Sequence, residues 1–250
     1  MRSPEDLVRI GFERSRVVIV NECHDGERHC PRTRAIGRRL LPIARRTGVR
    51  HLAMEALHEA FARAANTARR LPTDSLGYFG YLGQEDMRAL IADALALGLD
   101  LVAYECDFNR WQGDTWTPDF GNWRDAEEAR NLAEFLSGMP RDTRLLVWCG
   151  NSHQRKTPQE YPGVVGSTWI RLGQRFRELS GIDPFVIDQS VTVEYRWRRS
   201  RRRSDVKRFS AELRALGGTG GFLREEDPDP RWRDDLSADA WLLSLENSMH

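Results

Sequence analysis

Four short apolar runs punctuate this chain, and each stops at an ionisable side chain: VVIVNE at Glu22, HLAME at Glu55, DLVAYE at Glu105 and LLVWCGNSH at His153. Short apolar runs bounded by polar residues read as buried strands. Near-continuous hydrophobicity is what a parallel strand covered on both faces needs. The segments between them carry a helical period. Arg32 to Thr47 sets Ile36, Leu40, Ile43 and Ala44 on one stripe before Gly48, with Pro42 expected to kink or break it. Ala56 to Arg70 reads as a helix and Leu71 to Gly83 as a loop. Gln84 to Leu97 reads as a helix that turns Met87, Leu90, Ile91, Ala94 and Leu95 inward and ends at Gly98.

Further on, Cys106 to Trp123 lacks a period of either kind and reads as a loop. Arg124 to Leu136 is helical, with Ala129, Leu132, Ala133 and Leu136 on one face, and Ser167 to Leu179 is a further helix before the strand Pro184 to Asp188. After Ser190 the texture changes. VTVEYRW alternates as a half-exposed strand does, eight basic residues crowd into Arg196 to Arg208, Gly217 to Gly221 reads as a flexible loop, and Ala240 to Leu245 is a last strand. Strand, helix, strand in succession is the βαβ unit. The expected fold is therefore α/β: a mostly parallel central sheet flanked by helices, with additional C-terminal strands. One domain over 1–250 is expected, with 190–221 a basic hairpin or insertion within it.

In parallel strands the four terminal groups all lie at the carboxyl edge, where open α/β sheets build their sites. Neighbouring strands are about 4.8 Å apart, so side chains at their ends come within mutual reach. Three carboxylates in one cleft repel, since two unit charges 4 Å apart cost roughly 4 kcal/mol at an effective dielectric near 20. Three arrangements relieve this: one carboxyl keeps its proton, a protonated His24 or His153 or the guanidinium of Arg124 pairs with the others, or a divalent cation sits among them. The first two make a metal-free acid–base site, and the third makes a Lewis-acid site.

Composition narrows the setting. The chain is 40% hydrophobic and 30% charged with a net charge of +1, which describes a folded protein without a polyanion partner for the whole molecule. No apolar stretch approaches a membrane span or a signal-peptide core, so the expected location is cytoplasmic and no membrane partner is expected. Four cysteines without CxxC spacing are expected as reduced thiols: Cys23, Cys30, Cys106 and Cys149. The basic segment Arg196 to Arg208 reads as a solvated hairpin tip rather than a nucleic-acid site, because no aromatic ladder or phosphate-cradling loop accompanies it. Trp111 and Trp116, in the loop after Glu105, are read as substrate-facing, with a satellite apolar cluster as the alternative.

The ordered set Asn21-Glu22-Cys23-His24-Asp25, His29, Met54-Glu55 and Gly150-Asn151-Ser152-His153 resembles the erythromycin esterase/ChaN-like/Tiki superfamily, nearer the ChaN-like branch in its first motif. The segment Arg124 to Asn131 is similar to the Arg-bearing helix of the esterase branch. The resemblance implies an EreA/ChaN-like fold and a reactive cluster of Glu22, His24, Glu55 and His153. His24 or His153 would be the general base, and Glu105 and Arg124 would support it. Apart from the resemblance, His29, five residues after His24, and Asn151, in the turn before His153, are read as substrate-binding. The resemblance implies a hydrolase that cleaves an ester, lactone or amide bond in a small-molecule or peptide substrate. The alternatives are a non-catalytic metal- or haem-binding protein, a metal-dependent peptidase, and a lyase or acyl-transfer enzyme. No cofactor is required on the first reading. A divalent metal, if used, would take Glu22, His24, Glu55 and His153, and the lack of an export signal argues against haem. Asn21 stands where the family has glycine, which leaves the substrate undetermined.

Overall fold

The computed structural model describes residues 1–23, 30–72, 80–189, 205–227 and 229–245. Seven strands form one sheet in the order β3-β2-β4-β1-β7-β9-β8. They are β1 (Val17–Glu22), β2 (His51–Met54), β3 (Asp100–Ala103), β4 (Leu145–Gly150), β7 (Phe185–Asp188), β8 (Thr219–Leu223) and β9 (Ala240–Ser244). All pairings are parallel except β8 with β9. A two-stranded antiparallel hairpin, β5 (Gln159–Glu160) and β6 (Thr168–Trp169), stands apart from it.

Side-chain alternation splits the core into two layers. Val18, Val20, Leu52, Met54, Leu146 and Trp148 face α1 (Pro4–Arg14), α2 (Cys30–Arg46), α3 (Glu59–Ala68) and α4 (Glu85–Ala96). Val17, Ile19, Ala53, Val102, Leu145, Val147 and Cys149 face α5 (Pro118–Ser137) and α6 (Leu172–Ser180). The expected α/β fold with a mostly parallel sheet and an antiparallel C-terminal addition is the fold found.

Several local expectations are corrected. A first helix, α1, precedes β1, begun by Ser3, whose hydroxyl accepts from the Asp6 N–H. The α2 helix continues through Pro42. The α5 helix begins at Pro118, six residues before Arg124, because Thr117 caps the Phe120 N–H and Pro118 takes the first turn, where a missing N–H costs nothing. The segment read as a helix from Ser167 opens instead with β6, and α6 starts at Leu172.

Thr219 to Gly221, read as part of a flexible loop over Gly217 to Gly221, belong to a buried strand, Thr219 to Leu223. Its glycines serve packing rather than flexibility: a Cβ on Gly221 would run into the carbonyl oxygen of Trp241 on β9 and approach Leu7 Cδ1 to 2.6 Å. The expected strand VTVEYRW and most of the basic run lie outside the described residues. Arg208 is described, and it is paired with Asp227 at 2.6 Å. Among the described residues no helix is long and apolar enough to cross a membrane.

Candidate active site

The sheet order places the ends of β3, β2, β4 and β1 side by side, so Glu105, Glu55, His153 and Glu22 all arise from neighbouring strands. Register then divides them. Glu22 pairs with Gly150, in step with Val20 and Trp148, and so leaves the sheet on the α2 face. Glu55 follows Met54, which is level with Trp148, so it is in step with Cys149 and leaves on the α5 face.

On the α2 face Glu22 is fully buried and accepts from Arg34 Nε and Nη2, both at 2.8 Å, and from Trp148 Nε1 at 2.8 Å. Arg34 in turn reaches Gln84 and Asp86. Gly37 makes this possible, because any Cβ there would occupy the Trp148 ring. The expected metal set of Glu22, His24, Glu55 and His153 is thus split between two faces, since Glu22 is committed to Arg34. His24 and His29 lie outside the described residues.

On the α5 face the groups converge. Arg124 is at the centre. Its Nε and Nη2 hold Glu105 at 2.9 and 2.6 Å, and Nη2 also lies 2.6 Å from Glu55 and 3.0 Å from Glu128. Glu55 also accepts from the Gly150 N–H, and Glu105 accepts from Ala56 N–H and Cys106 N–H at 3.2 and 3.1 Å. Burial favours uncharged Arg124, but Glu128, Glu55 and Glu105 outweigh it and hold the guanidinium well above its ordinary range. Burial likewise pushes Glu105 up, and the charge and hydrogen bonds of Arg124 bring it below the usual carboxylate range.

Glu128 has the opposite fate. Complete burial, reinforced by the charges of Glu105, Glu55 and Asp125, raises it well above the usual range despite Arg124. Two of the three ways to relieve carboxylate repulsion are thus favoured together: a shared cation, and a carboxyl, Glu128, whose pKa is raised by burial and by its acidic neighbours.

His153 joins this cluster from the turn after β4. Its Nδ1 lies 2.7 Å from Asp125 Oδ1, and its Nε2 lies 3.3 Å from Arg124 Nη1 and 3.8 Å from Glu55. Asp125 is buried, which alone would raise its pKa. The imidazole and Arg171, with the hydrogen bonds made to it, bring the carboxyl below its ordinary value. An ionised carboxylate only accepts hydrogen bonds and a guanidinium only donates them. Nδ1 must therefore carry the proton, and the Nε2 lone pair faces Arg124. In a neutral imidazole these partners select the tautomer with the proton on Nδ1 and the lone pair on Nε2.

Asp125 and Glu128 were not singled out as site residues from the sequence, nor were Trp169 and Arg171. A signal for the first two is present: the buried stripe Ala129, Leu132 and Leu136 extends N-terminally to Asp125 and Glu128 at helical spacing, which puts acidic residues on a core-facing side.

The remaining expected residues sit at the margins. Asn151 forms the turn before His153 with φ 44°, and Ala56 follows β2 with φ 61°, both in the left-handed region at the site's edge. Trp111 packs against Phe120 and Trp123 with centroids 5.6 and 5.2 Å apart, a satellite cluster, whereas Trp116 is 85% exposed. A groove of about 620 Å³, lined by Leu57, His58, Glu105, Cys106, Phe108 and Phe135 among others, reaches Glu105 from outside. Cys106 and Cys149 are buried, and burial pushes both thiols well up, so neither is a ready thiolate.

Among the described residues, two groups have donor atoms close enough to hold a divalent cation: Asp125, Glu128 and His153, and Glu55, Glu105 and Glu128. In the second, Arg124 Nη2 already lies within 3.0 Å of all three carboxylates and supplies the positive charge between them.

No protein-family profile matches this chain, and no curated protein matches it in sequence. Solved structures do match. Two described as bacterial protein toxins superpose with TM-scores of 0.53 and 0.52 at 11% identity, over 76% and 74% of this chain. A third is RRSP, a MARTX toxin effector domain from Vibrio vulnificus CMCP6, with a TM-score of 0.49 at 12% identity over 69% of this chain. This chain spans only 37%, 36% and 34% of those chains.

At such identity the likeness establishes the fold, which is one found in bacterial protein toxins. It overturns the assignment to the erythromycin esterase/ChaN-like/Tiki superfamily, and with it the esterase-type hydrolase and the alternatives drawn from that family. The short motifs that suggested the family are strand ends carrying Glu and His, and a parallel sheet can present such ends in unrelated settings.

Proposed function

We propose that this chain is an enzyme working by general acid–base catalysis at His153, and that its substrate is a polypeptide. The observation that carries the proposal is the pair of contacts on the imidazole, the acceptor-only Asp125 on Nδ1 and the donor-only Arg124 at Nε2. When a nucleophilic O–H, of water or of a substrate hydroxyl, replaces the 3.3 Å contact from Arg124 Nη1, Nε2 takes its proton, and Asp125 stabilises the imidazolium that forms. Glu128, whose burial raises its pKa well above the usual carboxylate range, is the group best suited to return a proton, and Arg124 pairs with Glu55 and Glu105 beside it. The reading assigns no step to a cofactor. The toxin-like fold and the open groove beside Glu105 support a macromolecular substrate over a small metabolite.

The test is to incubate the wild-type protein and a His153→Ala variant with a eukaryotic cytosolic protein extract, with and without chelator. New chain termini and mass shifts are then mapped by peptide mass spectrometry. The expected result is a defined set of covalent changes that needs His153 and survives chelation. Identical maps for the two proteins would sink the reading.

A further inference from the structure

Asp125 is held by more than the histidine it serves. Its Oδ1 accepts from His153 Nδ1 at 2.7 Å and from the Leu172 N–H at 2.8 Å. Its Oδ2 accepts from Trp169 Nε1 at 2.7 Å and from Arg171 Nη1 at 3.1 Å. A carboxylate offers about four acceptor positions, so this one has no position left for a competing donor.

Arg171 ties the other partner of the dyad as well. It is 2% exposed, its guanidinium lies 3.5 Å over the Trp169 ring, its Nε donates to the Ser152 carbonyl at 3.0 Å, and its Nη2 donates to Ser152 Oγ at 2.6 Å. Ser152 precedes His153 in the chain. One side chain thus grips the carboxylate and the turn that carries the imidazole.

The start of α6 completes the frame. Its first N–H groups have no partner within the helix. Here those of Leu172, Gly173 and Gln174 go to Asp125, to the His153 carbonyl at 3.0 Å and to the Arg155 carbonyl at 3.0 Å. Gly173 permits the approach, since a Cβ there would collide with the Gln154 carbonyl.

We infer that Arg171 and Trp169 are positioning residues for His153: through Asp125 and Ser152 they fix the imidazole in the Nδ1–H tautomer, with the Nε2 lone pair turned toward Arg124 Nη1. The inference rests on the acid–base reading for its catalytic meaning, while its physical content stands without that reading. Lysine cannot replace Arg171, because a single ammonium cannot follow the planar fork that reaches Asp125 and Ser152 together. Phenylalanine at 169 keeps the stacked ring and removes only the donated N–H.

The test is ¹⁵N NMR of the histidine side chains in the wild type, Arg171→Gln, Arg171→Lys and Trp169→Phe, with His153→Gln to assign the signal. Circular dichroism and Tm are recorded for each. The wild type is expected to show Nδ1 protonated, Nε2 unprotonated and a slowly exchanging Nδ1 proton. Arg171→Gln and Trp169→Phe are expected to lose the slow exchange and to populate the Nε2–H tautomer at a tenth or more of the molecules, with secondary structure retained. Arg171→Lys is expected to fall between the wild type and Arg171→Gln.

A merely structural role would lower Tm and leave the tautomer and its exchange unchanged in Trp169→Phe, and that result would overturn the inference. Once a substrate reaction is in hand, the same variants should lower kcat with KM little changed. A locked tautomer in a protein whose His153 variant changes no substrate would uphold the clamp and defeat the proposed function.

Discussion

Glu22 and Glu55 end strands that flank the same neighbour, β4, yet their carboxylates leave the sheet on opposite faces. Glu22 is one residue out of step with Glu55 relative to β4, and one residue is enough to reverse the face. Glu22 consequently meets Arg34 and Trp148, while Glu55 meets Arg124 and the His153 side.

Removing the Glu22 carboxylate should therefore act first on stability. Glu22→Ala removes from the buried Arg34 the carboxylate that receives its Nε and Nη2, and breaking one partner of a buried ion pair costs about 3–5 kcal/mol. Urea denaturation at pH 7 should show a loss of this order. Trp148→Phe, which removes one donor to Glu22, should cost about 1–2 kcal/mol. A Glu22→Ala protein as stable as the wild type would show that this pair does not hold the α2 face.

Arg124→Gln withdraws the charge shared by Glu55, Glu105 and Glu128. The variant should lose about 3–5 kcal/mol at neutral pH. The deficit should shrink on acidification: without the guanidinium, burial raises the carboxyl pKa values in the folded state, so stability is present below the ordinary carboxylate range and lost as pH rises. In the wild type Glu105 works the other way. Its lowered folded pKa contributes stability above the ordinary value, and that contribution disappears as pH falls through the folded one. Tm measured from acid to neutral pH for both proteins separates these slopes, and a deficit independent of pH would contradict the shared-cation account.

Glu128→Gln isolates the carboxyl whose pKa burial raises. Because its folded pKa is raised, wild-type Glu128 is best tolerated below the ordinary carboxylate value of about 4.3 and costs stability as pH rises. Glutamine does not titrate there, so the variant's Tm relative to wild type should increase with pH. A constant difference would mean that Glu128 ionises normally.

The strand ends were legible because burial on both faces imposes a run of apolar residues, and the first polar residue after each run marks the edge. Which face each end takes was not legible, since the register of neighbouring strands is a tertiary property, and Glu22 was grouped with Glu55 for that reason. Asp125 was hidden differently. Its helix begins in the aromatic stretch Trp116 to Trp123, where no period is visible, and the clues to it were the Thr117-Pro118 start signal and the apolar stripe that runs back to Asp125. Arg171 lies in a segment read as helical, and nothing local says that its side chain folds back onto Ser152.

The glycines of 217–221 illustrate a third kind of miss. Composition suggested a loop, but Gly221 is glycine because β8 lies against Trp241 and Leu7 with no room for a side chain. Gly221→Ala should cost about 1–3 kcal/mol from overpacking, read by thermal unfolding. A neutral effect would show that β8 can shift away from β9 freely.

The central claim is that Asp125 makes His153 a base by fixing its tautomer. Asp125→Asn preserves size and removes the acceptor-only carboxylate, so the amide is able to donate to Nδ1 and move the imidazole proton to Nε2. The most direct measurement is the turnover rate of Asp125→Asn against wild type on a substrate changed in a His153-dependent way. The account predicts a fall of roughly 100-fold or more in a protein that still folds. A variant within a few-fold of wild type would contradict it.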